Sequence, residues 1–136
     1  MKMKKPKQEG YYSFFIPVRL MNLNDYTNMN RYSKHKANHA KQETESIIVA
    51  YIKKQLKWIE ITKPVLIVCT WSELNKMRDP DNICFAKKFI LDALVKAGTL
   101  TNDGWGQVSG FNDRFKVDRE NPGVLVEMFE FVNDEE

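Results

Sequence analysis

The sequence predicts an α/β (α+β) fold: a mixed four-stranded sheet carrying two helices, in the order β-α-β-α-β-β. Three observations carry that expectation. Val65–Trp71 is apolar at alternate positions on both sides, as a central, doubly covered strand requires. Two stretches with apolar residues at helical spacing lie on either side of it, at 40–58 and from Asp79 to Ala97. Two further strand-like segments close the chain around the turn signal Asn121-Pro122-Gly123.

Taken in order, residues 1–10 read as a disordered basic tail, rich in lysine and broken by Pro6 and Gly10. Residues 11–136 read as a single domain, since 136 residues support one core and not two. Tyr11–Leu20 is aromatic and β-branched, a strand that Pro17 places near an edge. The polar stretch Asn22–Asn38 reads as a loop or frayed helix start. In Ala40–Trp58 a helix is expected, with Ile47, Ile48, Tyr51, Ile52 and Leu56 facing inward and Glu43, Glu45, Lys53 and Lys54 elsewhere. Asp79 is a favourable N-cap with Pro80 at the first helical position, and Ala97-Gly98 ends the helix that follows. Val108–Asp118 and Val124–Val132 are the last strands. Trp58 and Trp71 are expected in the core or an interface. Trp105, between glycines, is expected to cover the core or to stack on an unpaired base.

No apolar run approaches the roughly 20 residues of a membrane span, and no signal-peptide core follows the basic start. The two cysteines, Cys69 and Cys84, suit free thiols in a reducing cytoplasm, with no disulfide framework or zinc site. The net charge of +3 is unevenly spread, with an amino-terminal third dominated by Lys and Arg and a C-terminus ending in acids. That asymmetry points to a polyanion, nucleic acid before membrane, as partner.

The chemistry concentrates between Arg78 and Asp103. On one continuous helix, Asp81, Phe85, Lys88 and Asp92 would share a narrow sector, and Asp103 follows a short loop. Carboxylates brought together repel unless a cation lies among them, and all-oxygen donors favour Mg²⁺ first and Mn²⁺ next. Such a centre activates water against a phosphodiester, with a lysine adding charge stabilisation. Each part also has an ordinary explanation: Asp79-Pro80-Asp81 as a helix start, Lys88 and Asp92 as an i, i+4 ion pair, Asn102-Asp103-Gly104 as a turn. His35 and His39 have helical spacing but no carboxylate or Cys at ligand spacing beside them.

The ordered set Asp79-Pro80-Asp81-Asn82, Lys88, Leu91-Asp92-Ala93-Leu94, Ala97-Gly98 and Asn102-Asp103 resembles the RusA-type Holliday-junction resolvases, endonucleases of phages and prophages. The resemblance implies Asp79, Asp81 and Asp103 as metal-binding carboxylates, Lys88 as the catalytic lysine, and Asp92 and Asn82 as supporting residues. It implies an Mg²⁺-dependent, structure-selective endodeoxyribonuclease that acts as a homodimer and resolves four-way junctions by paired symmetric nicks in recombination and repair. A bacterial cytoplasm would be its setting, with no small-molecule cofactor and no membrane. Asn24, Arg31, Lys34 and Lys36 are the expected DNA contacts. Two departures stand out: the stretch from Asn82 to Leu91 is longer by about one helical turn, leaving Lys87 as an alternative to Lys88, and Asn102 replaces the first acid of the usual pair. The alternatives are an endonuclease of the same fold preferring flaps or forks, and a non-catalytic branched-DNA-binding protein.

Overall fold

The computed structural model describes residues 2–3 and 10–132. Its elements are β1 (Lys2–Met3), β2 (Tyr11–Ile16), α1 (Leu23–Tyr32), α2 (Lys34–Leu56), β3 (Val65–Glu73), α3 (Pro80–Cys84), α4 (Lys87–Lys96), β4 (Val108–Val117) and β5 (Gly123–Val132). β5 and β3 form the middle of a mixed sheet. β2 pairs antiparallel with one edge of β5, β3 pairs antiparallel with the other, and β4 runs parallel to β3 on the outside. The expected four-stranded mixed sheet is therefore present, with the short β1 extending the β2 edge by pairing Lys2 with Val132 and Met3 with Phe131. That pairing departs from a wholly disordered tail. Met1 and residues 4–9 lie outside the described residues.

The register explains which side chains become core. Phe14, Val126, Cys69 and Asp113 are neighbours across the sheet, as are Ile16, Val124, Trp71 and Phe115, so each row projects to one face. On that face Phe14, Ile16, Val65, Ile67, Cys69, Trp71, Val124, Val126 and Met128 are buried. They pack against Ile48, Ile52 and Leu56 of α2 and Phe89, Ile90, Ala93 and Leu94 of α4 in a single cluster. The opposite row is covered less evenly: Val68 and Ser72 of β3 are buried, while Leu66 and Thr70 of β3 and Leu125 and Glu127 of β5 are half-buried. β3 is central but carries its helices on one face, a correction to the doubly covered strand. Its unbroken apolar run comes from lying between two strands, not between two helical layers.

Both expected helices are present, the first longer than expected and the second broken. Asn22–Asn38, expected as loop or frayed helix, is helical: Asn22 caps α1 by accepting from the Asp25 N–H at 2.8 Å, and Ser33 caps α2 by accepting from the Lys36 N–H at 3.1 Å. α2 therefore starts at Lys34, six residues ahead of the expected Ala40. The central helix is interrupted at Phe85–Ala86. There the Ala86 N–H turns to the Ile83 carbonyl and the Lys88 N–H to the Phe85 carbonyl, a local tightening to i→i+3 bonding. A tighter turn shifts the angular phase of everything beyond it, so the single sector of Asp81, Phe85, Lys88 and Asp92 does not survive. The interruption falls inside the stretch that exceeds the resolvase pattern.

Four expectations about buried groups also change. Trp58 is exposed, its ring lying under the Lys53 ammonium, and Ile47 faces outward. Trp105 covers no core. Glu45, expected off the apolar side of its helix, is only 2% exposed. Its neighbours are Lys96, which donates to Oε1, and Lys41, 3.9 Å from Oε2.

Candidate functional site

Asp79 holds the N-cap position of α3, with extended backbone, and its carbonyl accepts from the Ile83 N–H at 3.1 Å. Its carboxylate makes no capping hydrogen bond. The ordinary explanation for an aspartate there thus accounts for its backbone and not for its charge. Asp81 is exposed two residues later, in the first turn, and its charge raises the partly buried Cys84 thiol, although burial and Asp113 raise that thiol more. Asn82 is half-buried beside it.

The approach to Asp79 is held by a charged network that the sequence did not single out. Glu73, at the end of β3, is 7% exposed and accepts from Arg19 at 3.0 Å. The Arg78 guanidinium lies 3.9 Å from the same carboxylate oxygen, donates to the Leu20 carbonyl at 3.2 Å and reaches Asp25 at 3.4 Å. The residue before Asp79 is thereby tied to β3, to the segment after β2 and to the start of α1. A signal for this was in the sequence: Glu73 continues the alternation Val65, Ile67, Cys69, Trp71 and so falls on the core row, where a carboxylate needs cationic partners. Glu73, Arg78, Asp79, Ile83, Phe115 and Val117 line one cavity of about 270 Å³.

Asp103 is elsewhere. It lines one cavity with Lys41, Glu45, Asp92 and Lys96, and another with Trp105 and the Val108–Phe111 start of β4. Asp79 lies by the opposite end of that strand, at Phe115–Val117. Phe111 and Phe115 alone are about 13 Å apart at a strand's rise per residue. Among the described residues, no three of His, Cys, Asp or Glu stand close enough to hold one ion. Within one chain the structure brings Asp103 together with Asp92, and not with Asp79 and Asp81. The Asp103 N–H is held by Asn102 Oδ1 at 2.8 Å, while its carboxylate is exposed and makes no hydrogen bond or ion pair among the described residues.

The two lysines separate clearly. Lys87 is largely covered: its ammonium donates to Asp113 Oδ2 and sits 4.5 Å from the Phe111 ring centroid. Asp113 also accepts from the Trp71 indole at 2.9 Å, so Lys87 belongs to a structural trio. Lys88 is exposed, with no ion pair among the described residues. Asp92 pairs with Lys41 of α2 at 3.6 Å, which replaces the expected Lys88–Asp92 pair.

Asn24, Arg31, Lys34 and Lys36 are all exposed along α1 and the first turn of α2, with Tyr32 among them 91% exposed. His35 and His39 are exposed on the same stretch, and His39 faces Glu43 at 3.8 Å. No described helix is long and apolar enough to cross a membrane. No family model matches the chain, and no curated protein sequence matches it.

Proposed function

We propose that the protein is an Mg²⁺-dependent, structure-selective DNA endonuclease of the RusA type, acting as a homodimer on four-way junctions. The observation that carries this reading is the exposed Asp79–Asp81 pair, whose N-cap carboxylate is left free of capping, within the ordered Asp-Pro-Asp-Asn, Lys, Leu-Asp-Ala-Leu pattern. The donor set fits the ion. Mg²⁺ keeps most of its waters and is commonly held by one or two carboxylates together with substrate phosphate oxygens. Asp79 and Asp81 would hold it, and it would supply charge neutralisation on the phosphodiester. Lys88, exposed and unpaired, is available to a phosphate oxygen, which Lys87 is not. Asp103 joins this centre only from a partner subunit, since its own chain holds it at the far end of β4. Arg31, Lys34 and Lys36 form the basic surface on which the DNA backbone would lie, with affinity falling as salt rises. By this reading the site of action is the bacterial cytoplasm.

A second reading, a branched-DNA-binding protein without catalysis, draws on the separation of Asp103 from the other two acids. The deciding experiment is cleavage of a labelled mobile four-way junction in Mg²⁺ by wild type and by Asp81→Asn. Paired nicks by wild type alone uphold the nuclease. Tight binding by both proteins with no nick from either removes it, and nicking of flaps or forks in preference to junctions moves the substrate.

A further inference from the structure

We infer that Trp105, Phe111 and Asp103 form a pocket for one unpaired nucleobase bearing an exocyclic amino group, separate from the Asp79–Asp81 pair and independent of any cleavage. Trp105 is 99% exposed, an unusual position for an indole that shields nothing, and Phe111 is 47% exposed. Both line a cavity of about 430 Å³ whose remaining walls are Asp103, Gly104, Val108, Ser109 and Gly110. The small residues Gly104, Ser109 and Gly110 leave that space open.

The turn carrying the indole is held in place. The Gln107 and Val108 N–H groups both donate to the Gly104 carbonyl, at 3.1 and 2.9 Å, and the Val65 N–H donates to the Gln107 carbonyl at 3.0 Å. The exposed ring is therefore presented by backbone bonded to the central strand. With the backbone already fixed, stacking a flat partner on the indole has only side-chain rotation left to restrict.

The lining chooses among occupants. Among the described residues Asp103 is its one charged member, and its carboxylate has no hydrogen-bond partner there. A carboxylate repels phosphate, so a backbone contact is disfavoured. It accepts well from an amino group such as cytosine N4 or adenine N6, which thymine lacks. Aromatic faces stack on any base, so Trp105 supplies affinity and Asp103 supplies choice. Unpaired bases of this kind arise where strands exchange or fray.

The test uses the full chain carrying Trp58→Phe, which leaves buried Trp71 and exposed Trp105 as emitters. It is titrated with single-stranded oligo(dC), oligo(dA) and oligo(dT) in EDTA, so no metal and no cleavage enters. Quenching of emission is expected, with oligo(dC) and oligo(dA) bound more tightly than oligo(dT). Trp105→Ala should lose the quenching and weaken binding about 5- to 100-fold, with Trp105→Phe in between. Asp103→Ala should bring all three oligomers to the oligo(dT) affinity, circular dichroism confirming that each variant is folded. Unchanged emission, equal affinity for the three oligomers in the Asp103 protein, or an emission change that follows protein concentration alone (self-association through Trp105) would each overturn the pocket. Junction nicking that persists alongside such a failure would leave the nuclease reading standing.

Discussion

An aspartate at a helix start ordinarily directs its carboxylate to the backbone N–H groups ahead of it, and Asp79 does not. Asp79→Asn should therefore change the unfolding free energy by less than about 0.5 kcal/mol, as a surface change would, while abolishing nicking if the carboxylate serves a metal. The neighbouring lysines invite the converse comparison. Lys88→Ala should leave stability unchanged and lower nicking. Lys87→Ala should destabilise by about 1–3 kcal/mol, because it strips a cation from the part-buried Asp113 that also receives the Trp71 indole. Urea denaturation and single-turnover cleavage separate the pair, and an unaltered midpoint for Lys87→Ala would contradict the structural trio. Cys69 offers a test by pH. Burial, and then the Asp113 carboxylate, push its thiol from 9.0 to about 12. Above pH 9 the unfolded chain releases a proton that the folded chain retains. This contribution to stability is complete below pH 9 and declines as pH rises toward 12, by about 1.4 kcal/mol per pH unit. The difference between wild type and Cys69→Ala, followed by denaturant midpoint from about pH 8 to pH 10, should shrink along that slope.

Strands were legible where alternation and turn chemistry agreed. Val65–Glu73, Val108–Val117 and Gly123–Val132 fall close to their expected bounds, while Tyr11–Ile16 stops four residues short of Leu20; β2, β3 and β5 each carry a buried row, and β4, which buries none of its residues, was marked by its alternation and flanking turns alone. α1 was harder, because none of its residues is buried and its apolar residues, Leu23, Tyr26, Met29 and Tyr32, are set among asparagines. Its signal lay in two caps, Asn22 ahead of Asp25 and Ser33 ahead of Lys36, in a stretch whose asparagines read as loop. The break at Phe85–Ala86 left no mark in composition, since both residues keep right-handed helical angles and only the hydrogen-bond partners change. It mattered for function, because a phase shift between Asp81 and Lys88 decides which side chains share a face. The turn into β5 was legible and is rigidly specified. Gly123 has φ +149°, and a Cβ there would lie 2.1 Å from the Ile16 carbonyl oxygen, which is backbone and has little room to retreat. Gly123→Ala should cost about 2–4 kcal/mol from strain and overpacking together, read as a lowered denaturation midpoint. A midpoint equal to wild type would mean that β2 and β5 can part at that end.

At the scale of the molecule, the candidate site was legible as a set of residues but not as a place. Asp79, Asp81, Lys88 and Asp103 were all singled out, and all four are exposed. Their grouping was not legible, because spacing along a helix and a loop does not say at which end of a ten-residue strand the loop will dock. The fold sends Asp103 to the beginning of β4 and Asp79 to its end. If Asp103 completes a metal centre, a two-fold dimer has to supply it across the interface. That requirement separates the metal role of Asp103 from its role beside Trp105. Asp81→Asn and Asp103→Asn proteins are assayed alone, then unfolded together and refolded as a mixture. Where Asp103 acts across the interface, a mixed dimer has one site with both defects and one site with neither. Half of the dimers are mixed, so nicking should return to about a quarter of the wild-type level. Where Asp103 serves its own chain, every site in the mixture keeps a defect and no activity returns. Where Asp103 is no ligand, Asp103→Asn alone keeps its nicking and alters only which branch-point bases are preferred.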